Sequence, residues 1–290
     1  MSLADLLRHS EALRKACTED PGLWNLLRAE QEWMLYGDSC DPLSPSAPER
    51  ALKALQRKIY LDVWSNALSK VQRGARALVA GGGTGRFAQV LMDRGLRVEL
   101  IDASPEATRR ATQHLGAGAA VKLGDLTQPG LLEASAYDLI LAVEVACYAT
   151  QPEAVLRQLR TALGDGGTLL CSVEARPGAL LADTDLNSPE AVFAVLDEGV
   201  VTLPGLKHVH YYTRQEAAEL LRAGGLTVQS VEGVCYVPDG PFNRLIDATR
   251  LEDESHLAML MAIERRCRSH PLLRELPRAW AVTAGLANLP

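Results

Sequence analysis

From residue 76 onward, short apolar runs alternate with longer segments in which apolar residues recur at helical spacing. The runs near 76–81, 97–102, 119–123, 137–143 and 168–174 predict strands, and the segments near 84–94, 104–115 and 152–163 predict helices between them. Such alternation predicts an α/β fold, because each crossover helix returns the chain to start a parallel strand and both sheet faces become covered. Ser104-Pro105-Glu106 forms a helix start, with Ser104 as N-cap and Pro105 at the first helical position. The stretch from 175 to 210 breaks the rhythm. HVHYYTRQE reads as a loop entering the next helix, which Thr213 and Glu216 open with the spacing of a capping box. Strands near 226–234 and 278–286 follow, separated by a helical insertion at about 240–269.

Before residue 76 the pattern is helical throughout. Leu3, Leu6, Leu7 and Leu13 predict one helix, a TEDPG break covers 18–22, and Leu23, Leu26, Leu27 and Trp33 predict a second. Turn formers fill 37–48, and Ser46 with Glu49 has capping-box spacing for a helix through about 71. The expected division is a helical cap over 1–72 and a main domain over 73–290 with inserts at about 175–210 and 240–269.

Composition narrows the choice of partner. The 290 residues are 47% hydrophobic, enough for a sizeable core, and 30 basic against 36 acidic residues are interspersed, with no basic patch for a polyanion. A small-molecule substrate is expected, not nucleic acid. Six cysteines lie scattered without metal-ligand spacing, several in apolar runs, which predicts reduced thiols, no metal site and a cytoplasmic setting. No run approaches the roughly 20 apolar residues of a membrane span, and polar residues interrupt the amino terminus where a signal peptide would be continuous. A homodimer is left open.

Candidate chemistry starts at residues 76–102, a β-loop-α-β unit of the kind that holds a nucleoside. Its loop, GGGTGR, spaces Gly81, Gly83 and Gly85 as GxGxG, so the third glycine comes one residue earlier than in the dinucleotide pattern. Asp102 ends the second apolar run, where a carboxylate can accept ribose hydroxyls. In LeuGlyAspLeu at 123–126, Asp125 can accept an adenine amine and the Leu126 N–H can donate to a ring nitrogen. Each feature alone also has an ordinary explanation: a tight turn, a capping aspartate, a common surface turn.

With YDLILAVEVACYAT at 137–150 and LGDGGTLLCSVEA at 163–175, the ordered set resembles the class I S-adenosylmethionine-dependent methyltransferases over roughly residues 55 to 288. The resemblance implies a Rossmann-like three-layer sandwich with a mostly parallel seven-stranded sheet, an antiparallel last strand and an N-terminal helical lid. It implies S-adenosylmethionine as cofactor, with Gly81, Gly83 and Gly85 at its methionine end, Asp102 and Ala103 at ribose, and Asp125 and Leu126 at adenine. Glu144, Val145 and Tyr60 complete the expected contacts. There are departures. The family usually has an acid two residues before the first glycine, where this chain has Val79, and Cys147 and Tyr148 stand where histidine-using members carry their pair.

A sulfonium methyl group is already electrophilic, so alignment of the nucleophile and exclusion of water supply most of the catalysis, and a base is needed only for a protonated acceptor. Tyr148, Tyr211 and Tyr36 are the catalytic candidates, with His208, His210 and Tyr212 nearby in sequence. Trp33, Tyr36, Tyr60 and Trp64 could form an aromatic lid or pack in the core. The expected function is methyl transfer to a small metabolite or natural product. An alternative is cyclisation or transfer of the cofactor's aminobutyrate part, as in azetidine-2-carboxylate synthases, with release of methylthioadenosine; Val79 and the lack of an evident base are compatible with it. A dehydrogenase is disfavoured by the glycine spacing and Asp125, and a non-catalytic binding protein would keep the same fold.

Overall fold

The computed structural model describes residues 10–287. The expected helical positions Leu3, Leu6 and Leu7 lie outside them. Helix α1 (Glu11–Glu19) is capped by Ser10, and α2 (Leu23–Tyr36) begins beyond the break at 20–22. Helix α3 (Arg50–Val63) opens without the expected capping box. Its N-cap is Glu49, with no side-chain bond, because the turn before it closes on itself through Ser44 Oγ and Ser46 Oγ at 2.9 Å. The helix also stops short of 71, and α4 (Ser65–Ser69) follows.

Strands β1 (Arg76–Ala80), β2 (Arg97–Asp102), β3 (Ala119–Leu123), β4 (Tyr137–Val143) and β5 (Leu163–Ala175) pair in parallel in the order β3-β2-β1-β4-β5. Helices α5 (Arg86–Asp93), α6 (Pro105–Leu115) and α7 (Pro152–Ala162) join them, with Ser104 capping α6 as expected. Strands β8 (Thr227–Val234) and β9 (Ala279–Gly285) complete the seven-stranded core, β9 lying antiparallel between β5 and β8. The order reverses between β1 and β4. Open α/β sheets bind ligands at such a switch point, outside the carboxyl ends of the strands.

The insert that breaks the sequence rhythm is itself regular. It forms α8 (Arg176–Ala182), α9 (Pro189–Asp197) and a hairpin of β6 (Val200–Leu203) with β7 (Lys207–Tyr212), before α10 (Arg214–Ala223) and its capping box. The hairpin joins the sheet through Glu174↔Tyr211 and Ala175↔Tyr212, which brings the sheet to nine strands among the described residues. HVHYY is therefore strand and not loop. Its side chains alternate between two faces, a period-two pattern whose polar members hid it.

Alternation also explains the core. On β1, Ala77 and Val79 face one cluster with Leu91 of α5 and Leu55, Ile59 and Tyr60 of α3; Leu78 and Ala80 face the other, with Leu156 of α7 and Leu221 of α10. Both faces are covered, so the strand reads as a continuous apolar run. Helix α3 packs into this core through Leu55, Ile59 and Tyr60. Helix α11 (Glu254–Ser269) covers the same face and belongs to the expected insertion. No described helix is long and apolar enough to cross a membrane.

Glu264 of α11 is fully buried, and its Oε1 accepts the Val237 N–H at 2.7 Å, tying the helix to the turn after β8. Burial, only partly opposed by those backbone donors, pushes its carboxyl up to about 7. A raised folded-state value means stability is full below the unfolded value and is lost as pH rises through the folded one. Denaturant unfolding should show stability falling by up to about 3 kcal/mol between about pH 4.5 and about pH 7, with a flatter profile in Glu264→Gln.

Candidate active site

At the carboxyl end of β1 the chain must turn sharply into α5, and Gly81, Gly83 and Gly85 take φ of +61°, +54° and +101°, a region that side chains disfavour. A Cβ on Gly81 would lie 2.4 Å from Val145 Cγ2. The Gly83 N–H donates to Asp102 Oδ2 at 2.8 Å, and the Ser104 N–H donates to Asp102 Oδ1 at 2.9 Å. Burial raises the Asp102 carboxyl, against the pull of those donors. Each oxygen keeps a lone pair for a further donor.

Three cavities that share lining residues lie at this end of the sheet. A cleft of about 280 Å³ has Gly81, Asp102, Ala103, Asp125, Leu126 and Val145 on the sheet side and Leu23, Leu26 and Ala29 of α2 opposite. A second, of about 260 Å³, continues past Gly81 to Gly83 and is lined by Trp33, Val79, Lys53 and Arg86. The third is a chamber of about 760 Å³ beneath α2, sharing Asn25, Ala29, Glu144 and Tyr148 with the cleft and adding Glu174, Asp183, Lys207, Tyr211 and Arg278.

At the junction, the Arg278 guanidinium donates to Glu144 Oε1 and Glu174 Oε1, both at 2.8 Å. The same two oxygens accept the hydroxyls of Tyr60 at 2.9 Å and Tyr148 at 2.7 Å. Glu144 holds φ +57°, an uncommon conformation for a side-chain-bearing residue, with its N–H on Ser172 Oγ. Burial works against its ionisation, but Arg278 holds it below the usual carboxylate range. Burial and the nearby Glu144 charge leave Glu174 raised. Burial also raises the Tyr148 phenol, so it stays protonated.

Helix α2 is pinned over these cavities. Asn25 Nδ2 donates to the carbonyls of Tyr148 at 3.1 Å and His208 at 2.7 Å, while its Oδ1 accepts the His208 N–H. Gly22 N–H donates to Thr150 Oγ1, and Ser104 Oγ to Glu30.

A family model for a methyltransferase domain matches residues 51–231. The chain belongs to that family. A ubiquinone biosynthesis O-methyltransferase of Xanthomonas campestris pv. campestris is 30% identical over 179 residues, 57% of this chain and 68% of that protein. Two solved structures share the fold. A protein of Pyrococcus horikoshii aligns at TM-score 0.56 and 12% identity, covering 88% of this chain and 97% of its own. The Burkholderia thailandensis 1,6-didemethyltoxoflavin-N1-methyltransferase, holding S-adenosylhomocysteine, aligns at TM-score 0.51 and 18% identity, covering 90% and 87%. This methyltransferase uses S-adenosylmethionine as cofactor. Its residues fit that group: a glycine turn with no room for a Cβ at Gly81, and an Asp102 carboxylate with lone pairs free at the cleft.

Of the expected contacts, Gly81, Asp102, Ala103, Asp125, Leu126, Glu144 and Val145 line one cleft, and Gly83 lines the adjoining one. Gly85 lies outside both, as N-cap of α5 against Leu115. Tyr60 is fully buried, stacked on Trp64 at 5.1 Å, and reaches the site only through Glu144. Tyr148 and Tyr211 line the chamber, the latter donating to Asp183 Oδ2 at 2.8 Å. Tyr36 does not reach the site. It is 62% exposed at the end of α2, beside exposed Met34 and Leu35. His208 and His210 turn to the opposite face of β7, 3.1 Å from each other, where burial lowers both and holds His210 near about 4. Asn25, Glu174, Asp183, Lys207 and Arg278 escaped the sequence reading, though Glu174 ends an apolar run as Asp102 does.

Asp102→Ala should weaken S-adenosylhomocysteine binding by about 1–3 kcal/mol in calorimetry through lost charge-assisted hydrogen bonds; an unchanged affinity removes Asp102 from the cofactor site. Asn25→Ala should raise the S-adenosylhomocysteine off-rate about tenfold in stopped flow, because α2 loses three hydrogen bonds.

Proposed function

We propose that this methyltransferase acts on a small polar molecule held in the chamber beneath α2. The chamber carries the reading: it adjoins the cofactor cleft across Glu144 and Tyr148 and is walled by charged side chains. When bound, the cofactor supplies a methyl group made electrophilic by its sulfonium. Asp102 takes the ribose hydroxyls, Asp125 and the Leu126 N–H take the adenine edge, and Lys53 and Arg86 face the methionine carboxylate. Helix α2 excludes water and holds the acceptor against the junction. Tyr148 and Tyr211 serve as hydrogen-bond donors and not as bases, since burial keeps both phenols protonated.

The relative that is 30% identical is named as an O-methyltransferase of ubiquinone biosynthesis. A charged chamber suits a polar acceptor. A cytoplasmic setting belongs to the same proposal, consistent with the free cysteines among the described residues.

Among the described residues no carboxylate lines the glycine-loop cavity, where Val79 is buried. The cofactor's amine is thus left without an acid there, which keeps the cyclising reaction as the alternative to test. Purified enzyme with S-adenosylmethionine should yield S-adenosylhomocysteine only when an acceptor is added, read by mass spectrometry. Enzymatic methylthioadenosine in the absence of acceptor would overturn methyl transfer.

A further inference from the structure

The charges on the chamber wall do not balance. Arg278 alone answers both Glu144 and Glu174, and Lys207 answers both Asp183, at 2.7 Å, and Asp185, at 3.0 Å. Each set carries one surplus negative charge. Arg28 is shared between Glu32 at 2.9 Å and Asp185 at 3.7 Å, and Lys53 between Glu49 at 3.8 Å and Asp239 at 3.9 Å, so neither cation cancels that surplus. Glu174 is only 4% exposed, and both of its donors sit on Oε1; among the described residues no donor is placed on Oε2. A carboxylate oxygen without a placed donor, on the wall of a chamber with surplus negative charge, calls for a cation.

Resting on the methyl-transfer reading, we propose that the chamber takes an amine-bearing acceptor and that the methyl group goes to its nitrogen, beside Glu174 and Glu144. The acceptor's ammonium gives a proton to Glu174, and the freed lone pair bonds to the methyl carbon. The carbon–sulfur bond breaks with its electron pair left on sulfur. S-adenosylhomocysteine and a methylated ammonium result, and Glu174 returns its proton to solvent. Positive charge passes from sulfur to nitrogen, toward the surplus carboxylates, which stabilises the transition state. The same carboxylates raise the pKa of a bound ammonium and of a phenol alike, but the amine then attacks as a neutral group whereas a phenol would have to attack as an anion held beside them.

The test uses two matched pairs, benzylamine with benzoate and tyramine with 4-hydroxyphenylacetate, titrated by calorimetry into the enzyme saturated with S-adenosylhomocysteine. At neutral pH the amine of each pair should bind at least about tenfold more tightly, a preference that charge complementarity alone can supply. In Glu174→Gln the ratio should fall severalfold while S-adenosylhomocysteine affinity is kept, and Asp185→Asn, on the chamber rim, should lower it less. Incubation of tyramine with methyl-labelled cofactor should place any label on nitrogen. Carboxylates binding as well as or better than amines, no detectable amine binding, or label on the phenolic oxygen would overturn the inference. Failure to bind S-adenosylhomocysteine, or acceptor-independent methylthioadenosine, would instead overturn the methyl-transfer reading beneath it.

Discussion

The site depends on one guanidinium held between two carboxylates. Arg278, just before β9, bonds Glu144 beyond the end of β4 and Glu174 near the end of β5, so a single charge ties three neighbouring strands together where they open toward ligand. Desolvating three charges is expensive, and such a group is stable only when its remaining positions are satisfied. Tyr60 of α3 and Tyr148 after β4 supply part of that satisfaction. Removing Arg278 would leave two like charges facing each other, a loss of the order of 3–5 kcal/mol for a broken buried pair. The same arrangement keeps Glu144 ionised and leaves Glu174 ready to accept a proton.

This triad sits between the cleft and the chamber. The cleft is built from backbone: a left-handed glycine turn, two N–H groups on Asp102, and the switch in strand order. The chamber is built from side chains contributed by α2, α3, β5, α8 and β7, the segments after β4, α8 and β8, and Arg278. Helix α2 lines both and is held there through Asn25, whose amide satisfies backbone groups on two separate segments.

The elements legible in the sequence were those whose residues answer to near neighbours. Both-face burial makes β1 and the stretch of β4 from Leu139 on continuous apolar runs, and Ser104 caps α6 from an adjacent position. Asp102 stood out because an acid closing an apolar strand needs a partner. Glu174 closes β5 in the same way, yet its partner Arg278 lies 104 residues away, and no local pattern announces that pairing. The β6–β7 hairpin was hidden because β7 alternates histidine and tyrosine with lysine and valine, a strand whose exposed-looking members are packed against an insert. Tyr36 misled for the opposite reason. It belongs to an aromatic cluster in sequence, but the helix turns it outward while Trp33 faces the glycine loop.

The central claim is that the nucleoside cleft and the charged chamber meet at Glu144 and Tyr148, so that the transferable group is delivered there. A crystal structure of the enzyme with S-adenosylhomocysteine tests it most directly. The account predicts ribose hydroxyls on the Asp102 carboxylate, the homocysteine end toward Lys53 and Arg86, and the sulfur facing the chamber across Glu144. A nucleoside bound elsewhere, or a sulfur turned away from the chamber, would contradict it.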